Sequence, residues 1–590
     1  MVFASAGGAG AMAAELLNPR FIRQVVSGRW FTLFASLLIL SSGGATYAFG
    51  IYSRDLRSAM AYDQRAIATL AFFKDLGANV GIPAGLLLEV APPWLVLAAG
   101  AAMNLAGYLM VYLSLAGHVT RPPLWLMCFY ICAGANSQTF SCTGALVTAV
   151  KNFPECSRGP LLGLLKGYVG ISSAIVAQLY LAIYGGGGDG GDDTKSLVLL
   201  VAWLPAAASV VFLPTVRVLP PQQRSCRSQS SGHGSGGEVF VSLLYISMAL
   251  AAYILAMIVV QRQVVFSRTG YAASAAGLLL ILFLPLAVVV KQEYQTNKEL
   301  QLQEPLLMAP TTVTIVDETA SSPMPESPAN TPPSWLTRTF TPPAHGEDYT
   351  ISQAVVSIDM AILFVVIAVG TGGTLTAIDN MGQIGQSLGY PTKTIDASVS
   401  LISVWNYAGR VAAGYLSESL VTSRRYKLPR PAMITAVLVV SCAGHLLIAA
   451  GAPRGTLYAA SVIVGFCFGA LWPLLFAVVS ELFGLRRYST LYNVSAAASP
   501  VGSYVLNVLV AGRLYDDEAA RQHGGGGGGD KMCMGVECFG RSFMIVAAAT
   551  AAGALVSMVL VWRTREFYRG DIYAKFRDTT ATERKESPGV

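Results

Sequence analysis

Charge is the scarcest property of this sequence. Only 12% of its 590 residues are Asp, Glu, Lys or Arg, about half the share of an average soluble domain. So few charges cannot cover a water-facing surface, which excludes a string of soluble domains despite the length. Cysteine is sparse too. Of nine, Cys128, Cys132, Cys142, Cys442 and Cys467 fall in apolar stretches and read as small fillers. Cys156 and Cys226 lie in polar connections, and Cys533 and Cys538 share one loop, where a disulfide is one reading. Chemical motifs are missing as well. There is no phosphate-cradling Walker loop, no metal-ligand cluster at recognised spacing and no nucleophile–base arrangement. The expectation is therefore a protein that is not an enzyme, with no cofactor, no metal and no nucleic-acid partner.

What remains is apolar. Hydrophobic residues make up 53% and mean hydropathy is +0.53. With a net charge of only +7, disorder along the whole chain is excluded. The 59 glycines suit close helix packing in lipid. The chain reads as an all-α polytopic membrane protein.

A spanning helix needs about 20 mostly apolar residues. Such runs lie near 30–52, 66–88, 93–116, 123–150, 161–184 and 197–218, then 239–261 and 271–291, then 354–378, 395–416, 431–450, 456–479, 490–512 and 541–563. That is six, two and six: about 14 spans, the middle pair being the weakest, so that 12 is the alternative count. The organisation follows: an N-terminal tail at 1–29, a six-helix half at 30–218, a linker with two extra spans at 219–291, a disordered loop at 292–350, a second six-helix half at 351–563 and a tail at 564–590. The loop is rich in Pro, Ser, Thr and Glu and buries too little to fold. Its Ser322, Ser327, Thr331 and Thr341 each precede proline and read as modification sites or as plain tether.

Lys and Arg orient the chain. With both termini cytoplasmic, 24 of the 40 basic residues fall inside, 13 outside and 3 within spans. The bias favours that orientation in a plasma membrane or endomembrane. The first tail, with Arg20, Arg23 and Arg29 against Glu15, reads as cytoplasmic, with a transit peptide as the alternative.

The two groups of six repeat at one offset. Gly43-Gly44 matches Gly372-Gly373, Gly85 matches Gly414, Glu89 matches Glu418 and Arg158 matches Arg487, each 329 residues later. Two six-helix repeats separated by an even number of helices keep the same orientation. This is the parallel-repeat arrangement of the major facilitator architecture, which binds its solute between the halves near mid-membrane. The inserted pair would be peripheral. In each Gly-x-x-x-Glu element the small residue allows close helix approach, and the acid at the rim can pair with Arg or a helix N-terminus of the other half. Gly85, Glu89, Arg158, Gly414, Glu418 and Arg487 are therefore gating candidates; exposed acids beside helix-packing glycines are the plainer reading.

Arg29–Ser53, Phe72–Gly85 and Val150–Ser172 resemble the plant nodulin-like family, while Gly370–Pro391 and Ser400–Glu418 resemble the C-terminal half of its Nuclear Fusion Defective 4-like members. The resemblance covers most of the chain apart from the linker and termini, and implies a major facilitator membrane protein. One departure stands out. The superfamily's loop after the first acid continues with basic residues, but Glu89 is followed by Val90-Ala91-Pro92-Pro93. That predicts a weaker latch in the first half; the later copy keeps Arg424 and Arg425.

Ionisable groups inside a span are costly and are functional candidates by default. Arg410 lies eight residues before Glu418 and Lys166 eight residues after Arg158, each roughly 12 Å deep at 1.5 Å per residue. One cation from each repeat at matched depth would form an anion site, with Arg410 gripping a carboxylate and Lys166 adding a point charge. The Asn406-to-Gly414 segment also resembles the eighth helix of monocarboxylate and oxalate carriers, in which an Arg four residues before this Gly contacts the anion. Asn406 joins the binding candidates on that basis; helix packing is the alternative for Arg410, and a later span start would leave Lys166 at the interface. Lys74 and Asp75 occupy adjacent helix positions, which predicts separate partners. Asp75, with Lys74, is a proton-coupling candidate; an ion pair to a neighbouring helix is the structural alternative. Asp359 and Asp379 read as interfacial, His445 as a packed side chain, and Asn104, Asn136, Gln138, Gln178 and Asn507 as cavity lining or interhelical hydrogen bonds.

The expected function is secondary transport of a small solute, an organic anion with a coupled proton as the preferred cargo. A transporter-shaped receptor or scaffold is the competing class.

Overall fold

The computed structural model describes residues 18–43, 49–60, 62, 64–154, 157–184, 194–219, 235–264, 266–307, 339–423, 427–451, 455–522 and 533–570. Gly44, Cys156, Cys226, Ser322, Ser327, Thr331, Arg424 and Arg425 lie outside them.

Long apolar runs leave the backbone no choice in lipid: every N–H and C=O must be satisfied within the segment, and a helix does so. Regular structure among the described residues is accordingly helical. The first half comprises α1 (Pro19–Ser27), α2 (Arg29–Gly43), α3 (Phe49–Met60), α4 (Gln64–Asn79), α5 (Ile82–Val90), α6 (Pro93–Leu115), α7 (Leu124–Cys142), α8 (Thr148–Asn152), α9 (Arg158–Tyr184) and α10 (Thr194–Phe212). The inserted pair is α11 (Ser235–Gln263) and α12 (Arg268–Leu307). The second half runs through α13 (Ile351–Val356), α14 (Ile358–Ser387), α15 (Thr392–Thr422), α16 (Arg430–Ala449), α17 (Thr456–Leu482), α18 (Tyr488–Ala496), α19 (Ala498–Ser503), α20 (Arg513–Gln522) and α21 (Glu537–Arg569). Helices occupy each of the stretches expected to span. By length and composition, ten described helices are long and apolar enough to cross a membrane, or eleven if α1 and α2, bent by 63°, form one span.

Several expected spans are broken. The run at 66–88 is two helices, α4 and α5, joined at Val80-Gly81. Asn136 of α7 donates to the carbonyls of Gly77 at 2.8 Å and Val80 at 2.7 Å, which meets the need created by the break. A Cβ at Gly81 would press on the Asn493 side-chain oxygen and lie 2.7 Å from Thr139 Cβ, so the chain turns tightly against α7 and the other half. The run at 490–512 divides at Ala497 and finishes in wider, π-type turns over Tyr504–Gly512. Another π segment, Thr143–Val147, links α7 to α8. Such turns are rare and cluster at functional sites.

The expected loop at 292–350 begins later than the composition suggested. Helix α12 runs on to Leu307, and Thr339 to Thr350 folds back on the second half. There Gly346 N–H bonds Leu482 O, Tyr349 N–H bonds Phe483 O, and Asp348 Oδ1 accepts from the backbone of Leu485 and Arg486. Asp359, expected at an interface, is held by Arg563 at 2.5 Å and His345 at 3.0 Å. Burial raises the Tyr349 phenol pKa, and the Asp359 carboxylate adds to the effect.

The inserted pair joins both halves. Gln178 of α9 and Gln261 of α11 exchange two amide hydrogen bonds, at 2.9 and 2.8 Å. From α15, Tyr407 donates to Ser247 Oγ at 2.8 Å and Tyr415 to Phe240 O at 2.7 Å. Cys533 and Cys538 are disulfide-bonded.

Candidate transport site and latches

The matched Gly-x-x-x-Glu elements pack against matched helix starts of the opposite half. A Cβ on Gly85 would lie 2.6 Å from Ser489 O, and one on Gly414 would lie 2.5 Å from Gly159 O. Backbone meets backbone at both places, which only glycine allows. Four residues on, each acid finds its cross-half partner. Glu89 Oε2 accepts from Arg487 Nη1 at 2.7 Å, and its other oxygen accepts from Ser489 and Thr490. Glu418 Oε2 accepts the backbone N–H of Gly159 at 3.1 Å, at the start of α9. The two partner types read from the sequence thus appear one per repeat. The first latch, expected to be weaker because Val90-Ala91-Pro92-Pro93 follows its acid, draws its cation from the second half instead. Lys151, at the end of α8, lies in the same field: burial pulls its ammonium pKa down, Glu89 opposes this and Arg487 reinforces it.

Arg158 Nη1 points to Ser480 O at 3.4 Å, where it ties α9 to α17. The second latch has a partner that the sequence pattern hid. Arg430, one residue before the run at 431–450, is fully buried and donates to Ser417 Oγ at 2.5 Å, Glu418 Oε2 at 2.7 Å and Glu481 Oε1 at 2.7 Å. Tyr568 completes Glu481 at 2.7 Å. The repeat pairing of Gly43 with Gly372 is less equal: Gly372 abuts Gly502 backbone, while Gly43 has only Ser141 at 3.9 Å.

Deeper between the halves, Arg410 and Lys166 border one cavity, together with Gln138, Trp472, Phe476 and Tyr492. Arg410 Nε donates to Asn406 Oδ1 at 2.9 Å and Nη1 to the Lys166 carbonyl at 2.9 Å. Two of its three nitrogens are thereby fixed and the guanidinium plane is set. The Lys166 ammonium sits among three rings of the second half: Phe476 at 4.7 Å, Tyr492 at 5.2 Å and Trp472 at 5.6 Å. Cation–π attraction strengthens in such a desolvated place. The rings come from α17 and α18, and Pro473 inside α17 removes one backbone N–H beside Trp472. Sequence reading missed this cage because aromatic residues in spans look like ordinary packing until a cation is seen among them.

Lys74 and Asp75 were expected to have separate partners. They pair with each other, Nζ to Oδ1 at 2.8 Å. Helix positions one apart diverge at Cβ, but the four-carbon lysine arm is long enough to swing back. Asp379, read as interfacial, lies within the electrostatic reach of both and accepts from Asn507 at 3.2 Å. Gln138 borders the cavity, whereas Asn104 bonds the carbonyls of Val201 and Ala202 across helices. His445 is fully buried among packed groups.

Comparison with known proteins bears on this geometry. The Nodulin-like family matches residues 29–290, and the family described as NFD4, C-terminal domain, matches residues 347–570. Protein NUCLEAR FUSION DEFECTIVE 4 of Arabidopsis thaliana is 23% identical over 549 residues, covering 92% of this chain and 89% of that protein. The probable transporter MCH1 of Yarrowia lipolytica is 26% identical over 217 residues, 35% of this chain and 43% of its own. The solved structure of the major facilitator proton:xylose symporter XylE bound to 6-bromo-6-deoxy-D-glucose superposes with a TM-score of 0.51 at 14% identity, covering 92% of this chain and 96% of that one. At that identity the likeness shows the fold alone.

Proposed function

Because the chain belongs to the Nodulin-like family, with an NFD4 C-terminal domain, and is a multi-pass major facilitator membrane protein, we propose that it moves a small organic anion by alternating access. One observation carries the reading: Arg410 from one half and Lys166 from the other meet at a single cavity between the halves. A carboxylate entering there would meet two cations already stripped of water, and Arg410 is held in plane by Asn406 and the Lys166 carbonyl. Without an anion, Lys166 rests among the three rings. An anion competes for it and loosens a contact that ties one half to the other.

Glu89 with Arg487, and Glu418 with Gly159, hold the latch face shut. Rocking breaks these contacts and opens this face while the opposite access route closes. The excess of Lys and Arg supports a cytoplasmic position for this face and both termini. Asp75, balanced by Lys74 and close to Asp379, is the carboxylate that would carry a coupled proton.

Uptake of a radiolabelled short carboxylate into vesicles reconstituted with the full chain, driven by a pH gradient, tests the reading. Arg410→Ala should abolish uptake while thermal unfolding of the purified protein stays cooperative. Uptake unaffected by Arg410→Ala, or no uptake of any carboxylate, removes the anion assignment.

A further inference from the structure

A second cavity adjoins the first and shares Ala78, Asn79, Gln138 and Trp472 with it; Lys74, Asp75 and Ser499 also line it. Two donors on its wall are buried and unsatisfied among the described residues: the indole Nε1–H of Trp472 and the hydroxyl of Ser499. Trp472 is 5% exposed and Ser499 1%. A buried donor without a partner is costly, and native structures rarely keep one unless something else fills the need. The indole N–H can only donate, so whatever fills it must accept.

The Trp472 ring that carries this N–H lies 5.6 Å from the Lys166 ammonium. One small molecule can therefore reach both the cation pole, Lys166 with Arg410, and the donor pair, Trp472 with Ser499. The second cavity does not favour another full negative charge. Lys74 and Asp75 cancel each other, so its wall offers no net positive charge to a second anionic group. We infer that the cargo is a short monocarboxylate bearing a second, neutral oxygen acceptor, a hydroxy or oxo acid. Its carboxylate engages Arg410 and Lys166, and its neutral oxygen accepts from Trp472 Nε1 and Ser499 Oγ. This rests on the organic-anion reading and narrows it. A plain aliphatic acid leaves both donors unmet, and a dicarboxylate places its second charge beside the already neutralised Lys74–Asp75 pair.

Vesicles holding the full chain, assayed with butyrate, 3-hydroxybutyrate and succinate, test the inference. A site built to bond a substrate oxygen discriminates strongly against the analogue without it. The expected KM for 3-hydroxybutyrate is about tenfold or more below that for butyrate, with succinate the poorest. Trp472→Phe keeps a ring beside Lys166 but removes the N–H, and Ser499→Ala removes the hydroxyl. Each should bring the ratio of the two KM values toward one. Equal KM values in the unaltered protein, an unchanged ratio in both variants, or a preference for succinate would overturn the inference while leaving carboxylate transport standing. Uptake of none of the three would instead remove the organic-anion reading, and this inference with it.

Discussion

Glu89 and Arg487 are 398 positions apart in sequence, yet Arg487 Nη1 lies 2.7 Å from Glu89 Oε2. The acid is almost fully enclosed, whereas Arg487 is 41% exposed. A pair with one solvated partner contributes only about 1 kcal/mol, so it is suited to a contact that must form and break in every cycle. Glu89→Arg should open the latch face, and Glu89→Arg combined with Arg487→Glu should restore closure. Labelling of a cysteine introduced at Thr490 by a membrane-impermeant thiol reagent reads the change; equal labelling in all three proteins would show that the pair does not gate.

Gly85 and Gly414 leave no room for a side chain. Gly85→Val and Gly414→Val each place atoms within 3 Å of opposing backbone, and overpacking of this kind costs about 1–3 kcal/mol. The cost falls on the latch-closed state. Both variants should shift the same labelling assay toward the open form, with the double variant at least as far.

Arg430 bonds both Glu418 and Glu481, each at 2.7 Å. Arg430→Met removes it and leaves two buried acids facing each other, a change worth about 3–5 kcal/mol. The melting temperature in detergent should fall clearly. Adding Glu481→Gln to Arg430→Met should recover part of that loss, because one of the stranded charges is gone.

Asn136 accounts for two carbonyls at the break between α4 and α5. Asn136→Ala leaves Gly77 O and Val80 O without this donor, at about 1–3 kcal/mol per unmet group. The expected result is lower thermal stability, with faster hydrogen exchange confined to residues 77–85.

Arg410→Lys keeps the charge but loses the planar fork that bonds Asn406 and the Lys166 carbonyl together. Arginine and lysine are not interchangeable at such a site. Uptake should fall nearly as far as in Arg410→Ala; rescue by lysine would mean that charge alone matters there.

Low charge, fourteen apolar runs and one repeated offset of 329 residues fixed the membrane class, the two-half architecture and the glycine–acid elements from sequence alone, because helix formation in lipid and close glycine packing are local demands. The pairing of Arg410 with Lys166 across one cavity was legible too, since depth follows from counting residues along a helix. What tertiary structure alone decided was partnership. The Lys74–Asp75 pair depends on how a flexible arm folds back, and the Lys166 cage on three rings 306 to 326 residues downstream. Arg430 sits just before an apolar run, and its burial shows only once Glu418 and Glu481 meet it from two other helices, with Tyr568 bonding Glu481 from a third. Periodicity records which face of a helix is apolar; it does not record which distant charge comes to meet it.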